Sequence, residues 1–506
     1  MRKPLEIPPG LVSDDTSHAS AGRWQDGSNI RFRFGKPQVI GGWEALMSET
    51  LSGVCRNVFP WTDNANTLTI AFGTHATLEL WQGGALYDIT PSGLAAGQID
   101  GTGSTGYGTG AYGVGGWNQP SATDYFPRTW SLAAWGENLA ASPRGGTIYL
   151  WENDTSTPAA AVSNAPANVK AMLVSPTDQI FALGCNEEGT GTYNPLCIRH
   201  SSVRLATEWN TASSTTARQY VLPGGGEIIS GRVMGQYLLI WTSNSLFLGT
   251  YLGQLNQVWR FDKVGDHCGL IGPNAAVVVG QTAYWISPDR QFWAYGLGGA
   301  PQAFPCPIRT EFDENLAASQ ADKIVASSIS AFSEIRFDYP DARDGEGLEN
   351  SRYLSVPVSG PDQGSWSKGE MARTAFVDAG PSLYPAGVDP DGQAYWHERG
   401  GSADGSALSW FIESADQYLS EETGMMVRCV WPDVKDQTGP VTMTITTRER
   451  PEGSERSASY VIAPTDDKVD TRISGRLARF RFAGSASPTA WRLGRMILDL
   501  VSTGLR

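Results

Sequence analysis

The chain has 506 residues and a formal net charge of −14, with 38 Lys+Arg against 52 Asp+Glu. That length exceeds the roughly 250 to 300 residues at which one hydrophobic core stops growing, so several domains or one ring-shaped repeat fold are expected. The acidic balance excludes tight, sequence-independent gripping of phosphates, which draws its energy from Lys and Arg displacing condensed counterions. Only 18% of residues are charged, while Gly (58), Pro (30) and Trp (18) are abundant, a composition of short strands and tight turns.

The start, MRKPLEIPPG, is basic but runs into Pro and Gly. No run of about 18 apolar residues occurs anywhere, so neither a signal peptide nor a membrane anchor is expected, and the chain reads as made and kept soluble in a cytoplasm. Residues 1–50 read as an N-terminal arm and first strands.

From 51 to 400, hairpins of two apolar strands around a polar turn recur. In chain order they are LTIAFGTHATLELW (68–81), LAAWGENLAASPRGGTIYLW (132–151), SPTDQIFALG (175–184), YLLIWTSNSLFLGTY (237–251), SPDRQFWAYG (287–296), SSISAFSEIRFDYP (327–340) and DPDGQAYWHE (389–398). Three of them superimpose, with Pro at the second position, Gln at the fifth and an aromatic at the seventh: Pro176, Gln179, Phe181; Pro288, Gln291, Trp293; Pro390, Gln393, Tyr395. Proline presets φ for the first central residue of a β-turn, and the preceding segments VKAMLV, GQTAYWI and PSLYPAGV read as strands. One looser hairpin lies between successive good matches. The mean period is therefore roughly 50 to 55 residues, that of four-stranded propeller blades, and six or seven blades are expected. The competing reading is a set of unrelated hairpins whose short turn patterns recur by chance.

Two stretches interrupt the rhythm, and both read as long loops on the propeller rim. Residues 101–120 (GTGSTGYGTGAYGVGGWNQP) are rich in Gly and Tyr, and residues 187–218 are polar and rich in Ser and Thr. Gly101, Gly103 and Gly106 spell GxGxxG, but phosphate binding through that motif needs a strand before it and a helix after it. Tyr107, Tyr112 and Trp117 suit packing onto a neighbouring subunit instead.

After GGSADGSA, residues 401–506 alternate as strands and polar turns, the pattern of a C-terminal β-sandwich. In ARFRFAG, Phe480 and Phe482 point one way and Arg479 and Arg481 the other. Residues 471–506 hold seven Arg (Arg472, Arg476, Arg479, Arg481, Arg492, Arg495, Arg506) against one acid, Asp499. They are either solvated outward positions or a surface that docks on an acidic partner ring.

Little in the chain looks like chemistry. Cys55, Cys185, Cys197, Cys268, Cys306 and Cys429 are far apart, with no CxxC and no His pair at zinc spacing, so neither a metal site nor a disulfide framework is indicated. Ser365 and Lys368 match SxxK without its companion motifs. GxSxG, HExxH and Walker A sequences are missing, and His18, His75, His200, His267 and His397 are scattered. Asp178, Asp289 and Asp391 sit inside the repeated turns, where an Asp side chain hydrogen-bonds the turn backbone. Asp389-Pro-Asp-Gly392 lacks the longer ligand series of a calcium loop. The expectation is no enzyme, with no catalytic, cofactor-binding or metal residues and no cofactor.

The opening stretch PPGLVSDDTSHASAGRWQDGSNIRFRFGKPQVIGGWEAL resembles the start of tail nozzle (tail tubular) proteins of short-tailed and related double-stranded DNA phages. GTGAYGVGG, MARTAFVDAGPSLYPAGVDPDGQAYWHE, FIESADQY and WRLGRMILDLVSTGLR are similar to later parts of that group. The resemblance implies a virion protein, assembled in the host bacterial cytoplasm. It would form a homohexameric ring below the portal and adaptor, close the tail lumen and let DNA pass with weak, non-specific contact. The expected partners are the adaptor or portal-proximal ring, through region 471–506, and tail fibre or spike proteins. Two alternatives remain at this point: a propeller that binds or cleaves host-surface glycans, with Trp and Tyr stacking on sugars and distant carboxylates converging, and a free bacterial kelch-like interaction protein.

Overall fold

The computed structural model describes residues 2–15, 19–101, 126–419, 423–450 and 453–504. The expected Gly/Tyr loop therefore lies, after Gly101, outside the described residues.

The chain is all-β. Six four-stranded antiparallel sheets follow one another, spanning residues 55–88, 130–161, 171–221, 228–266, 276–303 and 325–370; we call them blades 1 to 6. Blade 7 takes three strands from 375–397 and its outermost one, Trp43–Ala45, from far upstream. The innermost strand of each blade touches those of its two neighbours, and the contact closes from blade 7 back to blade 1. The result is a seven-bladed propeller. Its first and last inner strands begin at Cys55 and Ala375, six steps averaging close to the roughly 50 to 55 residues expected. Each of the seven hairpins read from the sequence falls in a different blade.

The three superimposable turns are built alike but placed differently. In each, the first residue's amide donates to the fifth residue's carbonyl: Ser175 to Gln179 (2.9 Å), Ser287 to Gln291 (3.0 Å) and Asp389 to Gln393 (3.0 Å). The fourth residue has positive φ, with Asp178 at 55°, Arg290 at 61° and Gly392 at 85°, as a turn feeding a twisted hairpin demands. The first turn joins the first and second strands of its blade, however, whereas the other two join the second and third strands. Turn chemistry is local, and it does not report which strands it connects.

Among the described residues, edge-to-face aromatic pairs lie at five of the seven blade interfaces. Trp61 meets Trp151 between blades 1 and 2, Phe181 meets Trp259 between 3 and 4, and Trp241 meets Trp285 between 4 and 5. Phe292 meets Phe337 between blades 5 and 6, and Trp81 meets Trp396 between 7 and 1. All five are edge-to-face, the arrangement that the ring quadrupole favours. The aromatics so engaged are not free to stack on a sugar.

The remaining strands form the sandwich, and both ends of the chain build it. Arg2–Leu5 pairs with Met496–Gly504, Trp24–Ser28 with Trp410–Ser414, and Lys36–Val39 with Ala490–Leu493. Phe480 and Phe482 are fully buried beside Met443, Ile445 and Trp491, while Arg479 and Arg481 point outward, as the alternation requires. The first strands expected in residues 1–50 include Arg2–Leu5, Trp24–Ser28, Ile30–Arg33 and Lys36–Val39, but these belong to the sandwich, so the propeller is inserted between two halves of it. The 187–218 loop also needs correction, because Tyr193–His200 is the third strand of blade 3. Pro195 and a register shift opposite Gly184 break the period-two pattern by which that strand could have been read.

Candidate functional site

The propeller axis is the natural place to seek a site, since seven inner strands converge there. They enclose a cavity of about 490 Å³ with largely apolar walls, including Val58, Phe59, Leu132, Leu173, Val277 and Val377. Its polar side chains include those of Asn57, Arg232, Asn274, Ser328 and Asp378. Among the described lining residues the one carboxylate is Asp378, which accepts hydrogen bonds from the Ser328 hydroxyl (2.9 Å) and the Ser330 amide.

Asn274, just before blade 5, obstructs one end of this axis. Its Nδ2 donates to the Arg56 carbonyl of blade 1 (3.1 Å), its own carbonyl accepts from the Ala326 amide of blade 6 (2.8 Å), and its Oδ1 meets Arg232 of blade 4. Arg232 in turn donates to the carbonyls of Ala276, Gly231 and Pro273 and to the Ser230 hydroxyl. Burial lowers the Arg232 pKa to about 10, so it stays charged at neutral pH while its donors hold the plug rather than a ligand.

A buried ion network covers the same end. Arg56 is 2% exposed and forks onto Glu349, with Nη1 to Oε2 at 2.5 Å and Nη2 to Oε1 at 2.7 Å. Lys323 reaches Asp100 (2.6 Å) and Glu349 (3.1 Å). Burial and then Arg56 push the Lys323 pKa down, while Glu349 and Asp100 oppose them. Two cations face two anions, so the buried charge is compensated. Beside it, Gln320 clamps Gly101 through both its amide (2.9 Å) and its carbonyl (3.0 Å). Phe126 lies under Arg144 (4.2 Å) and Lys170 (4.7 Å). Both stems of the Gly/Tyr stretch are thereby fixed to the propeller.

A second buried cluster joins the sandwich to the propeller. Arg31, on the sandwich strand Ile30–Arg33, is 3% exposed. It pairs with Glu398 after blade 7 (2.7 Å) and Glu334 of blade 6 (3.1 Å), and its guanidinium covers the Phe332 ring at 3.6 Å. Burial raises the Glu334 pKa, with Arg31 opposing it.

The residues singled out in the sequence do not converge. Lys368 pairs with Asp26 (2.7 Å) and Glu311. Burial works against its charge, but these carboxylates outweigh burial and raise its pKa, so it cannot serve as a base toward the buried Ser365. The His75 ring accepts from the Val54 amide, His397 accepts from Arg373, and buried His200 is held between Gln179 and Ser201. His267 is exposed, and His18 lies outside the described residues. Burial lowers the His200 pKa to about 4 and that of His397 well below the ordinary value. Among the described residues, no three His, Cys, Asp or Glu could hold a metal.

Two expectations need refining. The first turn position, not the Asp within the turn, ties the turn: Ser175 and Asp389 accept from the fifth residue's amide, and Ser287 donates to its carbonyl. Asp178 instead pairs with Arg204, and Asp289 accepts from Ser287. Several of the C-terminal Arg also have partners within the chain. Arg479 and Arg481 share Glu413, Arg481 covers Phe411, Arg492 reaches Gln38 and Arg495 pairs with Glu6.

No family model matches the chain, and no curated protein matches it. Among solved structures, it is similar to the computationally designed Ika8 protein, with a TM-score of 0.39 and 15% identity over 70% of this chain and 100% of that one. It is also similar to PorZ of Porphyromonas gingivalis, a bacterial surface component of the type-IX secretion system, with a TM-score of 0.39 and 11% identity over 77% of this chain. The match spans 45% of PorZ.

Proposed function

We propose that the chain is a structural virion protein, a nozzle-ring subunit of a phage tail that attaches below the portal or adaptor and closes a lumen through which DNA passes. The observation that carries this reading is the double anchorage of the propeller. Strands on both sides of it are laid into one sandwich, and Arg31 ties that sandwich to blades 6 and 7. A scaffold held at both ends and across its junction suits a ring that must keep its shape while DNA moves through it. Within the family-like stretches 8–46 and 491–506, the strands Trp24–Ser28, Ile30–Arg33, Lys36–Val39 and Met496–Gly504 belong to this anchorage.

The axis favours a scaffold over a catalyst. Cleaving a glycosidic bond needs two carboxyl groups flanking it, and Asp378 stands without a second carboxylate among the described lining residues. With Asn274 across the axis, DNA would pass between subunits in the ring rather than through a propeller. The chain's net charge of −14 keeps such passage weakly held.

Negative-stain images of the purified protein, alone and with its adaptor, test the reading. Closed rings, sixfold in the simplest case, are expected. Single particles at every concentration in both conditions would overturn it.

A further inference from the structure

The strands Ile30–Arg33, Lys36–Val39, Ala490–Leu493 and Val434–Thr438 form one sheet of the sandwich, in that order. Strand alternation sorts its two faces. Ile30, Phe32, Val39, Trp491 and Leu493 are buried in the core. The opposite face collects basic side chains from distant parts of the chain. Register sets Arg31 opposite Gln38, Gln38 opposite Arg492, Arg492 opposite Lys435, and Arg33 opposite Lys36.

Arg31 is taken up by Glu398 and Glu334. The other four basic groups are not neutralised. Arg492 reaches the neutral Gln38 (3.0 Å), and Arg33 lies over the rings of Phe34 (5.1 Å) and Phe332 (5.3 Å). Among the described residues, none of Arg33, Lys36, Lys435 and Arg492 pairs with a carboxylate; Asp436, next to Lys435, borders the face at one edge. Lys435 is exposed, and Arg33, Lys36 and Arg492 are half-buried.

Arg33 with Lys36 and Arg492 with Lys435 are therefore like charges set directly opposite each other, an arrangement that costs stability. The turn between the first two strands adds to the cost. Phe34 and Gly35 both have positive φ, 53° and 72°, in a two-residue turn of the kind that Asn-Gly suits best. A phenylalanine is strained there. Asp362 holds it, accepting from the amides of Phe34 (2.7 Å) and Gly35 (2.6 Å), and Phe34 is left 66% exposed. Strain of this kind clusters where a ligand is bound.

We propose that this face binds single-stranded nucleic acid, with Arg33, Lys36, Arg492 and Lys435 contacting phosphates and Phe34 stacking on an unpaired base. The inference stands apart from the tail reading, because the face belongs to a single chain. Basic side chains beside an exposed aromatic ring are what a single strand needs: charge for its backbone and a platform for its bases. A protein partner fits less well, since the centres of protein interfaces are apolar and poor in Lys, whereas protein–nucleic acid interfaces are strongly positive. The net charge of −14 resides on the rest of the chain, and it keeps the binding weak and salt-sensitive.

Fluorescence anisotropy of a labelled oligothymidine of about 16 nucleotides, titrated with the full chain, tests the proposal. Saturable binding is expected at low salt, and four phosphate contacts give a slope of log K against log salt of about −2.8. Lys36→Glu combined with Lys435→Glu turns both like-charge pairs into opposite-charge pairs. This double variant should keep or raise thermal stability while weakening binding about tenfold or more. Phe34→Gly suits the turn, so it should also keep or raise stability, while weakening binding about fivefold or more with the salt slope unchanged. No binding at low salt, or binding that the double variant leaves intact, would overturn the proposal. Equal affinity for a duplex of the same length would overturn it too, as would displacement of the probe by polyglutamate as readily as by unlabelled oligothymidine.

Discussion

His397 and Trp43 are paired across neighbouring strands, with ring centroids 5.7 Å apart, although the whole propeller lies between them in sequence. This pairing closes the ring: the strand Trp43–Ala45 supplies the outer edge of blade 7, and the Leu46 amide donates to the Ala394 carbonyl just beyond it (2.8 Å). Leu46→Pro should therefore loosen the closure by about 2 kcal/mol or more, through a lost donor and a displaced buried leucine. Urea unfolding would show the loss, and an unchanged midpoint would refute this account of the closure.

The aromatic seals should matter more than any one turn. Trp285 is fully buried against Trp241, and its Nε1 donates to the Cys268 carbonyl at 2.9 Å. Trp285→Ala should cost about 3 to 5 kcal/mol, read from denaturant midpoints at constant slope.

Arg31 holds two carboxylates that would otherwise repel each other in a buried site. Arg31→Met should destabilise the protein by about 3 to 5 kcal/mol at pH 7. Burial already raises the Glu334 pKa, and removing Arg31 takes away the main opposing influence. A native carboxyl with a raised pKa binds more protons than the unfolded one, so its contribution falls as pH rises through that raised value. The deficit of Arg31→Met should accordingly shrink when unfolding is repeated at pH 5, and a deficit that does not depend on pH would contradict this.

His200 titrates with the opposite sign. Its pKa is about 4 in the fold because of burial, against about 6.5 when exposed. The unfolded chain takes up the proton first, so stability declines as pH falls from about 6.5 to about 4, by about 3 kcal/mol in all. In His200→Gln this part of the slope should disappear. A variant with the same slope would show that the loss arises elsewhere.

The turn of blade 7 separates two neighbouring acids. The Asp389 Oδ1 accepts from the amides of Asp391 (3.0 Å) and Gln393 (2.9 Å), whereas the Asp391 side chain is exposed. Asp389→Ala should cost about 1 kcal/mol, and Asp391→Ala less than about 0.5 kcal/mol. Equal effects in thermal unfolding would reverse the assignment.

The repeating hairpins were readable because turn chemistry and strand alternation are local. Pro176, Pro288 and Pro390 mark turns by restricting their own backbone, and Phe480 and Phe482 mark a buried face by spacing alone. What the sequence hid depends on partners far along the chain. Nothing near Trp43 says that it completes the blade containing His397, and nothing near Asn274 says that it spans blades 1, 4 and 6. Cys185 and Cys197 are far apart in the sequence, yet neighbouring strands of blade 3 carry both into one buried cluster. Asp389 and Asp391 share a turn, and composition does not tell that it is the Asp389 carboxylate that accepts from the turn amides.

The insertion of the propeller between the sandwich's halves also orders events on the ribosome. Arg2–Leu5 and Lys36–Val39 emerge before the propeller, but their partners at 490–504 emerge after it, so these strands wait with unpaired edges while the whole propeller is made. At about 5 to 20 residues per second, that wait is on the order of half a minute to a minute and a half. Blade 7, by contrast, finds its closing strand already made. The propeller can close before residues 490–504 are made and the sandwich cannot, so chains cut short before residue 490 would carry a formed propeller with exposed strand edges, the kind of surface that chaperones and proteases recognise.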